Sequence, residues 1–372
     1  MKFLLVALAI VFQVFAQADT LSMPKIFEDG EVAEAADFNQ NFEYLRQQID
    51  TNGSWLNTNV SGSKEVPVDC SSNQDALRLA YHANVHVRHV NFQVTGTCLG
   101  AIHYIPMPND DGTLSWGEIQ PMNQVITIGP PEGITARISL IPRTAHGISK
   151  TGIYSSFGNG LYVNGVDIQM GADDNWGLLF SRNSNGGAQD TTITGVGSAT
   201  GAVIQYGGSV YFGGLTVSDV AYGIVGVNAG SMRVTSPISL TASNTALYLS
   251  GGQWTGGGVA LIATTGNALI LDNAAHAAVK TGEVKGAIKV SSGSIGKINY
   301  EGQGGFDADV QILDSNLTLI TAAGSNPAYD ISRFTCNGMS FLNIDTVNVR
   351  NNGGNHCLDD TGWNAVIDAT FP

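Results

Sequence analysis

Charge is scarce in this sequence. Asp, Glu, Lys and Arg make up 13% of its 372 residues, about half the share of an ordinary soluble domain. A disordered chain needs the reverse, dense charge with little hydrophobicity, and here hydrophobic residues reach 43%. Cations are scarcer than anions, 17 Lys and Arg against 31 Asp and Glu, which leaves no basic face for a nucleic acid. Beyond the N-terminus no stretch approaches the ~18 consecutive apolar residues of a membrane helix. Cysteines number four, and none forms the close C-x-x-C pair of a compact zinc site. A phosphate loop, an H-E-x-x-H helix and a Ser/His/Asp order are all missing. Glycine is abundant, with 46 residues, where a coiled-coil rod would have few. What remains is a glycine-rich, weakly charged, turn-dense fold.

The first residues indicate the compartment. Lys2 precedes an unbroken apolar run from Phe3 to Phe12, and Ala16-Gln17-Ala18 is a small-x-small cleavage site. This is the form of a secretory signal peptide over 1–18, so the mature chain is expected to be secreted, periplasmic or on the cell surface. Disulfides are expected there. Three pairings of four cysteines are open. Two lie near the start of the main domain and two near its end, which favours Cys70–Cys98 and Cys336–Cys357. Within 19–62, Ala35, Phe38, Phe42, Leu45 and Ile49 form an a/d seam over two heptads. The seam predicts an amphipathic helix that packs on its own domain or self-associates into a homo-oligomer. The stretch FEDGEVAEAADFNQNFEYLRQQI resembles a segment near the N-terminus of secreted bacterial and phage fibre-like proteins.

The main domain repeats. Small residues recur after short apolar strands at Gly165, Gly186, Gly208, Gly230, Gly252, Ala274, Gly293, Ser315 and Gly338. Their period is roughly 22 residues, within the range of solenoid repeats. Strand, small turn, strand at that period is one coil of a parallel β-helix. Under period-2 alternation, Val203, Val225, Leu247, Leu269, Ile288 and Val310 form one inward column. Gln205, Val227, Leu249, Leu271, Val290 and Ile312 form a second. Val210, Met232, Trp254, His276, Ile295 and Leu317 form a third after the turn. Coils are expected to begin before residue 160, with strands at 124–128 and 138–141 and a longer loop from Pro106 to Trp116.

Upstream, residues 66–98 read strand, Cys70, helix, strand and Gly96-Thr97-Cys98. Ser72 is the expected helix N-cap, and Ala76, Leu77, Leu79 and Ala80 the apolar face. This arrangement resembles the N-terminal cap of secreted proteins with the pectate-lyase-like right-handed β-helix. The resemblance covers roughly residues 66–350. It implies an all-β right-handed parallel β-helix with a helical cap over 63–100 and coils over 101–372.

That superfamily includes polysaccharide lyases and glycoside hydrolases beside adhesins and structural proteins, so fold alone does not decide activity. The Asp173-Asp174 pair lacks the Gly-His and R-x-K that accompany such a pair in polygalacturonase-like members. The acidic candidates are Asp167, Asp173, Asp174 and Asp190, with Arg182 near in sequence. Two carboxylates there could serve glycoside cleavage, bind calcium or solvate a loop; no cofactor is otherwise implied. An outward column of Ile204, Tyr206, Ile224, Tyr248 and Ile270 reads as an apolar stripe, which marks an interface or a groove. Tyr162, Tyr206, Tyr211 and Tyr248 could stack on sugar rings. The preferred expectation is a non-catalytic extracellular module that binds a glycan or a protein partner or forms part of a fibre. The alternative is a polysaccharide lyase or glycoside hydrolase.

Overall fold

The computed structural model describes residues 63–350 apart from short internal stretches, and 176–302 is continuous except at 229. Residues 1–62, with the signal peptide and the heptad seam, lie outside the described residues, as do Asp173, Asp174 and Cys357. The chain divides into two units, Met1–Ser61 and Gly62–Pro372. The second is an all-β parallel solenoid of about nine turns.

Sheet A has 12 strands, beginning at Ser63–Asp69 and ending at Phe341–Asp345. Sheet B supplies the rest of each coil. In early coils it contributes two short strands, such as Val166–Gln169 and Trp176–Phe180; later these join as Thr216–Val227, Ile238–Ser250 and Val259–Asp272. The coil-to-coil pairings are parallel. The expected loop from Pro106 to Trp116 is instead an antiparallel hairpin, with those two residues paired.

The register fixes the repeat. Gly160, Asn185, Ser209, Ser231, Gln253, His276, Ile295, Asn316 and Phe341 occupy one column of sheet A. The advance from coil to coil is therefore not constant. It is even from Ser209 to Ser231 and from Ser231 to Gln253. It is odd from Gln253 to His276 and from His276 to Ile295. Along a strand, a one-residue slip in alignment exchanges the buried face for the exposed one. This corrects the expected columns. The inward column of sheet A runs Val210, Met232, Trp254, Ala277, Gly296 and Leu317. His276 and Ile295 are exposed instead. In sheet B the inward columns are Ala202, Ile224, Leu247, Leu269, Ile288 and Val310, and Ile204, Gly226, Leu249, Leu271, Val290 and Ile312. Val203 and Val225 share the other face with Tyr248 and Ile270.

Not every repeated small residue marks a turn. Gly186 is an inward strand position, where a Cβ would lie 2.1 Å from the Leu161 carbonyl oxygen and 2.5 Å from Phe180 Cε1. Absence of a side chain there makes room for Phe180. Gly226 does the same for Met232, whose Cε is 2.7 Å from the corresponding point. Such large-against-small pairing is how a close-packed interior fills its volume. Left-handed backbone does occur at Gly165, Gly252, Ala274 and Gly293 of that series, and also at Arg182 and Asn183, Tyr206 and Gly207, Asn228, Gly251, Asn273, Ser292 and Asp314. Several of their amides are satisfied by the next coil: Asn183 N–H donates to Tyr206 O, Gly207 N–H to Asn228 O and Asn228 N–H to Ser250 O. Side chains continue the ladder. Asn273 Nδ2 donates to Ser250 Oγ at 2.6 Å, and Ser291 Oγ to Asp272 Oδ1 at 2.9 Å.

At the N-terminal end, helix Ala76–Ala83 places Leu77 and Tyr81, one turn apart, in the solenoid core. Leu79 points to solvent, and the N-cap is Asp75 rather than Ser72. Cys70 and Cys98 are disulfide-bonded as expected. Cys336 is also disulfide-bonded; its expected partner, Cys357, lies outside the described residues.

Candidate functional site

Of the acidic candidates, Asp167 and Asp190 are among the described residues. Asp167 lies on Val166–Gln169 and pairs in register with Thr192. Asp190 precedes Thr192 on the same coil, in a left-handed turn with φ 47°. Its N–H donates to Gly213 O at 2.8 Å. Its Oδ1 is 2.3 Å from where a Cβ on Gly214 would stand, which accounts for glycine at 214. Arg182 sits in the turn at the opposite end of strand Asn185–Gln189. Among the described residues, no group of three or more His, Cys, Asp and Glu is placed to hold a metal ion.

The expected apolar stripe is only partly outward. Ile204 and Ile224 are 0% exposed and belong to the core. The slip has a physical reason in the register: Ile224 pairs with Leu247, where a constant even period would set it beside Ala246. The true outward column of sheet B runs Tyr154, Leu179, Val203, Val225, Tyr248 and Ile270, then Lys289 and Gln311. Tyr154, Leu179 and Val203 are buried as a second cluster apart from the core. Tyr248 and Ile270 are half-buried.

The aromatic candidates do converge. Among the described residues the exposed tyrosines are Tyr162, Tyr206 and Tyr211, at 38%, 57% and 47%. All three belong to sheet A or its entering turn, within three successive coils. Tyr162, Gly187, Tyr211 and Arg233 form one outward column, with Tyr162 and Tyr211 on strands two coils apart. Tyr162 Cδ1 is 3.5 Å from the Cβ position of Gly187, and its Cε2, on the opposite ring edge, is 3.6 Å from that of Gly160. Both are ordinary van der Waals distances, so the ring packs between the two glycines.

Tyr206 adds backbone strain. Its φ is 53°, in the left-handed region that costs an ordinary L-residue about 1–2 kcal/mol. Every other non-glycine there is Arg, Asn, Asp, Ser or Ala, and Tyr206 is the one aromatic among the described residues. Around the tyrosines the outward positions include the polar Asn164, Asn185, Gln189, Ser209 and Ser231 and the cations Arg182 and Arg233. The sequence alone shows the tyrosines but not Gly160, Gly187 or Arg233 beside them, because that neighbourhood appears only once the register is known. No family model, no curated protein and no solved structure matches the chain.

Proposed function

We propose that this chain is a secreted, non-catalytic β-solenoid module, of the pectate-lyase-like kind with a helical N-terminal cap, that binds a glycan on its outer surface. The observation that carries the reading is the occurrence of three exposed tyrosines within three successive coils, on sheet A and its entering turn. Aromatic faces bury apolar area while their hydroxyls stay wet, and a sugar ring offers the matching combination of C–H face and hydroxyl rim. The Cys70–Cys98 disulfide suits an oxidising, extracytoplasmic compartment.

Incubating the mature protein with a polysaccharide panel tests this, with binding and both unsaturated and reducing-end products read together. Binding without product is the expected result. Release of either product would replace the reading with a lyase or hydrolase. Self-association through 31–50 is a further part of the proposal. Light scattering should give a multiple of the protomer mass that falls on Phe42→Asp.

A further inference from the structure

Resting on the secretory part of that reading, we propose that Asn316 is a modification site, the attachment point of an N-linked oligosaccharide. Asp314-Ser315-Asn316-Leu317-Thr318 contains an N-x-T acceptor. Asp314, two residues before the asparagine, adds the acidic flank of the bacterial form of that acceptor. The motif enters strand Asn316–Thr321 of sheet A, and the alternation of a strand suits its spacing. Leu317 is buried in the core. Asn316 and Thr318 therefore stand side by side on the outer face, and Asp314 is exposed in the left-handed turn before them. Asparagine amides elsewhere in the fold are engaged. Asn273 Nδ2 donates to Ser250 Oγ, Asn244 Nδ2 to the Tyr222 hydroxyl and Asn84 Nδ2 to Ala80 O. The Asn316 backbone N–H donates to Ser294 O at 3.0 Å, but its side-chain amide has no partner among the described residues.

The surroundings supply an independent sign. Among the described residues the exposed large aliphatic side chains are Leu79, Val196, Ile295 and Leu313. Two of the four flank Asn316. Ile295, 43% exposed, is its register partner in the preceding coil. Leu313, 48% exposed, ends the strand before the Asp314 turn. A sugar attached at Asn316 lays its C–H face over such a pair and removes apolar surface from water. The step itself is a group transfer from a lipid-pyrophosphate-linked oligosaccharide. The Asn316 amide nitrogen attacks C1 of the first sugar. The N–C1 bond forms, the C1–O bond to pyrophosphate breaks, the amide proton passes to a base of the transferase and the lipid pyrophosphate leaves. Nothing is oxidised or reduced. In the folded protein Asn316 is paired on both sides, with Ile295 and with Phe341, so the transfer takes place on the exported chain before this strand joins the sheet.

The test is peptide mapping by mass spectrometry of the mature protein recovered from the organism that makes it. Trypsin releases 298–333 as one peptide in which this acceptor is the only one. That peptide should carry the added mass of an oligosaccharide, and fragmentation should place it on Asn316. Asn316→Gln and Thr318→Ala should abolish the added mass, Thr318→Ser should keep it, and Asp314→Ala should abolish it if the acidic flank is part of the motif. Made in a host without the transferase, Asn316→Gln should melt with the wild-type chain, because the amide has no hydrogen bond to lose; a lost sugar is then not a misfolded protein. Peptide 298–333 found only bare, in protein whose leader has been removed, would overturn the inference and leave the export reading standing. Full occupancy in Asp314→Ala would overturn the part given to Asp314. A leader retained on the recovered protein would overturn the export reading, and this inference with it.

Discussion

At the scale of the residue, this fold is a set of columns, and each position is judged by the residues above and below it. Leu249 and Leu271 are register partners and fully buried. Leu249→Ala should cost ~2–5 kcal/mol, the range for a deleted core leucine, measured by denaturant unfolding. A loss below ~0.5 kcal/mol is the behaviour of a surface position and would contradict the column. Gly186 carries the opposite constraint. Gly186→Ala puts a methyl against the backbone of Leu161, which cannot swing away. Destabilisation of ~1–3 kcal/mol is expected. Adding Phe180→Leu should recover only part of it, because the Leu161 carbonyl contact remains. The two glycines illustrate what composition conveys and what it hides. Gly207, with φ 83°, is glycine for its dihedral, the reading that a glycine-rich repeat suggests first. Gly186 is glycine for its volume, and nothing local distinguishes the two. Likewise Tyr162 and Tyr211 are visible in the sequence as aromatics, but that they share one column with Gly187 between them depends on the register.

At the scale of the element, the period was legible and the phase was not. Alternating apolar residues with small residues at regular intervals identify stacked coils. An alignment that sets His276 beside Trp254 and Leu317 beside Ile295, however, misses the odd advances from Gln253 to His276 and from Ile295 to Asn316, and each odd departure exchanges inside for outside. The same slip in sheet B is why Ile204 and Ile224 read as a surface stripe, while Leu247 and Leu269 were placed correctly. The N-terminal element was clearer, because a disulfide and a helix leave strong local marks. Strand Ser63–Asp69 is the edge of sheet A, and Lys64, Glu65 and Pro67 make it a poor template for further pairing. The Cys70–Cys98 bridge is worth ~3 kcal/mol in the chain-entropy model. Replacing both cysteines by alanine should speed amide exchange in Ser63–Asp69 and Ala76–Ala83 and leave Val259–Asp272 protected. Uniform loss of protection would mean that the end and the middle fold as one unit. The turn ladder has its own signature. The hydroxyl of Ser292, followed by that of Ser291 and the Asn273 amide, holds the Asp272 carboxyl below its ordinary value. A lowered folded-state pKa stabilises above the unfolded value, and the benefit disappears as pH falls through the folded one. Asp272→Asn should therefore lower the melting temperature at about pH 7 and make little difference at about pH 2, well below the usual carboxylate value of ~3.9.

At the scale of the whole solenoid, stability is a sum of contacts between neighbouring coils, since no coil buries its own apolar face alone. Such a stack is as cooperative as its weakest junction. The junction at Met232 is a strong candidate, because the column through Ile204, Gly226 and Leu249 lacks a side chain at its middle member. The end of Met232, from the facing sheet, occupies that space, with Cε 2.7 Å from the missing Cβ and Leu249 Cδ2 at 3.0 Å. Met232→Ala empties the space with no side chain at Gly226 to relax into it. A loss of ~2–5 kcal/mol is expected, but its distribution is the more informative result. If coupling runs only between neighbours, the coils before Met232 and those after it should separate into two unfolding transitions. Hydrogen exchange should then follow different free energies on the two sides, at Gly160–Asn164 and at Glu283–Ser291. A single transition, shifted equally for both, would show that coupling reaches across the whole stack. The outer face at Tyr162 and Tyr211 would then be held rigid by coils far from it.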